Sequence, residues 1–140
     1  MESFRFYLSQ IQAVVARMAS NSANCKTMSV AILSALLAYI GASKQDALVL
    51  VLPFPIVTLY LMDSYYLSIE RGFRALYKSR LTSFQNQSLR REDYFVMEKV
   101  GDYLFLKALG SHSTVWFYLA ELIVVCVVYK SGILIAVNDA

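Results

Sequence analysis

Three stretches of this chain are too apolar and too free of charge to sit in water, and nothing else constrains its fold as strongly. Residues 27–43, TMSVAILSALLAYIGAS, hold no charged side chain. Residues 47–62 hold none either, and a helix begun there extends to Leu67, because Ser64, Tyr65 and Tyr66 suit a membrane interface. Residues 113–138 form a longer stretch, interrupted by Glu121 and Lys130. A bilayer core of about 30 Å takes ~17–25 predominantly apolar residues as a helix. The first two stretches lie at the short end of that range. The third is long enough but polar in two places, and a β-hairpin of VVCVVY and ILIAV is its alternative. Composition agrees with a membrane protein. Hydrophobic residues make up 58% of the 140 and mean hydropathy is +0.50, where soluble domains hold ~45–50% apolar residues. Two prolines and five glycines leave little room for loops. The expected class is an all-α membrane protein built as one unit.

The connection between the first two spans is short, SKQD, so the spans should form an antiparallel hairpin. The first span follows a polar-amphipathic stretch and no small-residue cleavage pattern succeeds it, so it reads as a retained span and not a secretory signal. Basic residues set the orientation. Arg5, Arg17 and Lys26 precede the first span, and Arg71, Arg74, Lys78, Arg80, Arg90, Arg91, Lys99 and Lys107 lie between the second and third. The N-terminus and residues 63–112 are therefore expected on the cytoplasmic side of a bacterial inner membrane, with the C-terminus outside. The division that follows is an amphipathic N-terminal helix and polar neck (1–26), a transmembrane hairpin (27–67), a cytoplasmic helical region (63–112) and a third transmembrane helix (113–138).

Catalysis is not indicated. The chain has no glycine-rich phosphate loop and no nucleophile elbow. His112 is the only histidine and has no Cys, Asp or Glu at ligand spacing, so neither a metal nor another cofactor is expected. Cys25 and Cys126 lie at different depths, which does not suggest a disulfide. A net charge of +3 is too modest to argue for nucleic acid by itself.

In the N-terminal stretch Phe4, Tyr7, Leu8, Ile11, Val14, Val15 and Met18 recur at helical spacing, with Arg5, Ser9, Gln12 and Arg17 opposite. Such a helix packs on the rest of the cytoplasmic region or on the bilayer surface, or its stripe serves as a seam between subunits. The neck that follows, ASNSANCKT, is rich in residues that compete for backbone hydrogen bonds and disfavour helix interiors. It reads as a loop or cap between two helices, or as a polar ring at the membrane mouth. In the second case Asn21, Ser22 and Lys26 would line a pore or gate, joined by Asp63 and by the intramembrane Glu121. A ring of Lys26 ammonium groups would favour anions.

No turn signal separates the second span from DSYYLSIERGFRALYKSR (residues 63–80), so one long helix should leave the membrane. At 100° per residue, Tyr66, Glu70, Arg74 and Tyr77 fall within about 60° of Asp63. Ile69, Phe73 and Leu76 gather on the far side with Tyr65. Glu70 and Arg74 are spaced for an i, i+4 ion pair, worth ~0.2–0.5 kcal/mol if exposed. A solvated face carrying that pair is one reading. The other is an anion site: guanidinium groups suit phosphate and phenol rings suit stacked bases. Tyr66, Glu70, Arg71, Arg74, Tyr77 and Lys78 would then bind a ligand. A polar linker follows, and Phe95, Val96, Val100, Tyr103, Leu104 and Leu106 form a second amphipathic stretch leading to the third span.

Three elements carry a resemblance: ARMASNSANCKTMSVAILSALLA before and into the first span, LMDSYYLSIERGFRALYKSR after the second, and SHSTVWFYLAEL entering the third. Together they cover about two fifths of the chain, and the middle one is quite specific. They resemble the small bacterial transmembrane effectors encoded beside nucleotidyltransferases in anti-phage defence, of the Hailong type. The matching residues are Asn21, Ser22, Lys26, Asp63, Tyr65, Tyr66, Glu70, Arg71, Phe73, Arg74 and Tyr77. Glu121 departs from the pattern, standing where a proline or an apolar residue is expected. The resemblance implies a homo-oligomeric membrane channel, controlled by a nucleotide second messenger or short single-stranded DNA, with a nucleotidyltransferase as partner. Its opening would depolarise the cell and arrest growth. The competing expectation is a membrane-anchored scaffold or partner-binding protein without a pore; Glu121 and Lys130 favour the pore.

Overall fold

The computed structural model of the chain describes residues 2–43, 46–88, 96–98 and 105–131. Its elements are α1 (Glu2–Ser43), a 3-10 turn (Asp46–Val51), α2 (Pro53–Gln85), the short α3 (Phe105–Leu109) and α4 (His112–Ser131). Among the described residues there is no strand. Three helical segments are long and apolar enough to cross a membrane: one within α1, one beginning at Ala47 and running through α2, and α4.

α1 and α2 form the expected antiparallel pair and make the most extensive packing in the molecule. At one end Phe4 stacks on Phe84, ring centroids 4.3 Å apart. Phe4, Tyr7 and Ile11 are buried there with Leu76, so the N-terminal stripe is covered from within the same chain. At the other end Leu33, Ile40, Val49, Leu52, Ile56 and Leu59 share a core with Tyr118 and Val125 of α4.

The neck is not a loop. α1 runs unbroken through Asn21–Asn24, so the N-terminal helix and first span are one rod of about 63 Å at 1.5 Å per residue. Ser22 and Cys25 are buried, and small side chains there let the helices approach closely. Helix packing of this kind outweighs weak local propensity.

α2 begins with Pro53 and Pro55 in its first turn, where a missing backbone N–H leaves no intrahelical bond unmade. It continues without interruption through Asp63, as the sequence predicts. Its end is a Schellman-type closure: Gln87 N–H donates to Phe84 O (3.1 Å) and Ser88 N–H to Ser83 O (3.0 Å). Gln87 holds φ at 53°, in the left-handed region.

α4 is helical through Val124–Tyr129, which removes the first arm of the alternative β-hairpin. Its second arm, ILIAV, lies outside the described residues, as do Arg90, Arg91 and most of the second amphipathic stretch.

Candidate functional site: a buried polar seam among three helices

On α1, Ser22, Cys25 and Ser29 recur at intervals of three and four, so one face of an otherwise apolar span is narrow and weakly polar. All three are buried. α2 presents Asp63, Ser64 and Ser68, and α4 presents Thr114, Tyr118 and Glu121, all buried as well.

Asp63 is wholly buried, and each of its carboxylate oxygens has a donor. Ser22 Oγ donates to Oδ1. Lys26 Nζ lies 2.6 Å from Oδ2 and 3.4 Å from Ser22 Oγ. The Lys26 side chain keeps 25% of its surface exposed, so the ammonium stands at the edge of the seam. Lys26, a candidate pore residue from sequence, thus has its charge neutralised by Asp63 of the same chain. Such a pair stabilises little overall, since desolvation offsets attraction, but loss of one partner costs ~3–5 kcal/mol.

Three residues along α1 from Lys26, Ser29 Oγ donates to Glu121 Oε2 at 2.5 Å. The carboxylate therefore has a partner within its own chain, which its position among apolar residues did not suggest. That partner meets only half its need. Glu121 Oε1 is buried and bonded to nothing among the described residues, as are the hydroxyls of Ser64 and Thr114. Buried polar groups are almost always bonded, so these three orphans require an explanation.

The proposed ligand face on α2 takes a different form from its helical wheel. Glu70 is buried, not solvated. Arg74 Nη2 lies 2.7 Å from Glu70 Oε1, and the Arg74 side chain is 65% exposed. Arg71 turns toward the α3–α4 junction, donating to Lys107 O (3.3 Å) and Ser111 Oγ (2.9 Å). Tyr77 packs with Phe73 and Leu8 in the N-terminal core. Tyr66 lies beside Tyr65, ring centroids 6.0 Å apart. Lys78 is exposed over a shallow hollow with Ser79 and Thr82. Glu70 and Arg74 thus meet, while Arg71, Tyr66, Tyr77 and Lys78 are not drawn into one concave site. Asn21 is half-buried beside Ser22 on α1 and joins no described bond of the seam.

Sequence reasoning missed Ser29, Ser64, Thr114 and Tyr118. The available signal was the recurrence of Ser22 and Ser29 around Lys26, one hydroxyl every two turns within a stretch otherwise built of apolar residues. No family model, no curated protein and no solved structure matches this chain.

Proposed function

We propose that the chain is the membrane effector of a Hailong-type anti-phage system: a homo-oligomer that opens an ion path through the bacterial inner membrane. The observation that carries this reading is the half-satisfied carboxylate of Glu121, buried in a helix apolar enough to span. In lipid an unmet polar group costs several kcal/mol, roughly, and ionisable residues within spans face bundle interiors or water-filled paths. An ion path opened beside it would supply what the closed chain lacks: water or an ion at the buried Glu121 Oε1. The orphan hydroxyls of Ser64 and Thr114 mark the same seam.

Control would come from the cytoplasmic half of α2. There Arg74 and Lys78 are exposed, and the resemblance in residues 63–80 supports a nucleotide or short single-stranded DNA as signal, made by a partner nucleotidyltransferase. The excess of basic residues around that half supports a cytoplasmic N-terminus.

A non-conducting scaffold is favoured by one observation of its own. Lys26 with Asp63 and Glu70 with Arg74 are satisfied inside a single chain, as a plain anchor requires. Mass measurement in detergent and planar-bilayer recording separate the two. The channel reading expects an oligomer and unitary currents that change when nucleotides or short DNA are added. Silence from a well-folded oligomer under every one of those conditions leaves the scaffold.

A further inference from the structure

Between α2 and α4 runs an open groove of about 310 Å³, with Ile56, Leu61, Leu119 and Leu122 among its walls. Tyr60 and Tyr118 also line it, but their hydroxyls are directed to backbone carbonyls: Tyr60 to Leu109 O (2.7 Å) and Tyr118 to Leu59 O (3.3 Å). The rings face the groove while their polar ends are already bonded. The groove is therefore almost wholly hydrocarbon, on two helices that are apolar enough to span.

One end of it is different. Leu61 also borders an adjoining hollow of about 420 Å³, edged by Tyr65, Tyr66 and Phe105. Phe105 opens α3, and α3 carries Lys107, exposed. Arg71 reaches the same short helix through its bond to Lys107 O. A guanidinium has five N–H donors, and the two bonds of Arg71 leave others for an anion. An apolar track and an aromatic collar thus adjoin at Leu61, and the short helix that gives Phe105 to the collar also carries Lys107 and receives Arg71.

We infer that this track binds a phospholipid with an anionic head group, its acyl chain along the α2–α4 groove and its phosphate at Lys107 and Arg71. Basic groups between spanning helices on the cytoplasmic side are suited to anionic head groups, and guanidinium matches phosphate with paired hydrogen bonds. Charge decides between this occupant and a helix from a second copy. An apolar helix would fill the groove equally well but brings no anion to the two cations. The inference rests on α2 and α4 crossing the membrane and is independent of conduction.

Quenching by brominated lipid tests it. Trp116 is the only tryptophan and is 65% exposed on α4, so in the parent chain it reports bulk lipid. A Trp116→Phe, Leu119→Trp chain moves the indole into the groove. Both chains are placed in vesicles of mixed phosphatidylglycerol and phosphatidylcholine, with one or the other brominated. Bulk lipid should quench Trp116 alike from either source. The groove indole should prefer phosphatidylglycerol by about thirtyfold, the effect of two cations near a membrane surface. Adding Lys107→Gln, an exposed position whose change leaves the packing intact, should cut that preference about fivefold, leaving what Arg71 sustains. Equal quenching of the groove indole by both lipids, or a preference unmoved by Lys107→Gln, overturns the assignment. A groove indole quenched by neither lipid, while Trp116 is quenched, means a second copy fills the groove and also overturns it. If Trp116 itself is quenched by neither lipid, the chain is not in the bilayer and the membrane reading falls with this one.

Discussion

Lys26 of α1 and Asp63 of α2, thirty-seven positions apart, close an ion pair of 2.6 Å whose acidic partner is wholly buried. Asp63→Asn should therefore destabilise the protein by ~3–5 kcal/mol, since it strands the ammonium at the seam. Combining Lys26→Met with Asp63→Leu should recover most of that loss. Thermal unfolding of the three proteins in one detergent checks this; a double variant no better than the single would show the pair does not act as a unit.

The same pair sets an expectation for selectivity. Lys26→Gln removes the ammonium from the edge of the seam and leaves the buried Asp63 carboxylate without its cation. In a salt gradient its reversal potential should move toward cation preference. A current with unchanged reversal potential would restrict Lys26 to holding the helices together.

Glu121→Leu separates folding from conduction. Combined with Ser29→Ala, it removes the half-satisfied buried carboxylate together with the hydroxyl that donates to it, and replacing both partners by apolar groups is nearly neutral or stabilising. The expected outcome is a melting temperature equal to or above the parent's, an unchanged oligomer mass and loss of current. A variant that conducts as the parent does would remove Glu121 from the ion path.

Arg74→Glu places a second acidic group beside the buried Glu70 and reverses the most exposed charge of that pair. Control of toxicity should be lost while membrane levels stay equal to the parent's. Membrane fractions and growth curves with and without the proposed partner nucleotidyltransferase measure both. Equal regulation would return this stretch to a helix surface with an ion pair and no ligand.

The turn that ends α2 offers a test free of any functional reading. Gln87 occupies the left-handed region, which costs an L-residue ~1–2 kcal/mol relative to glycine. Gln87→Gly should therefore raise stability by up to about 1 kcal/mol, part of the gain being offset by chain entropy. A lowered melting temperature would show that the Gln87 side chain makes contacts that outweigh the backbone effect.

The helices long and apolar enough to span were legible because long runs with little or no charge have few other solutions, and the run of α2 through Asp63 because nothing in it stops a helix. The continuity of α1 through Asn21–Asn24 was not. Local propensity argues for a break there, and the burial of Ser22 and Cys25 that overrides it depends on α2. The covered side of residues 63–77 was misjudged for a similar reason. Asp63 and Glu70 mark a face as polar, yet each has its own cation, Lys26 from another helix and Arg74 from the next turn. A polar face with its counter-charges supplied can be buried. The recurrence of Ser22 and Ser29 marks a polar face on α1 but not what that face meets, because the partner of Ser29, Glu121, is ninety-two positions away.

Two helices clasped by Phe4 and Phe84 at one end, pinned by Lys26 and Asp63 midway, and packed through Ile40 and Leu52 at the other behave as a braced strut. A strut without a joint does not absorb a tilt; it delivers it. A push of a few ångströms at the Phe84 end arrives, reversed about the Lys26–Asp63 pin, at the opposite rim some tens of ångströms away. The seam beside that pin is where such a lever would turn, so the orphan oxygen of Glu121 lies close to the fulcrum, where travel is least.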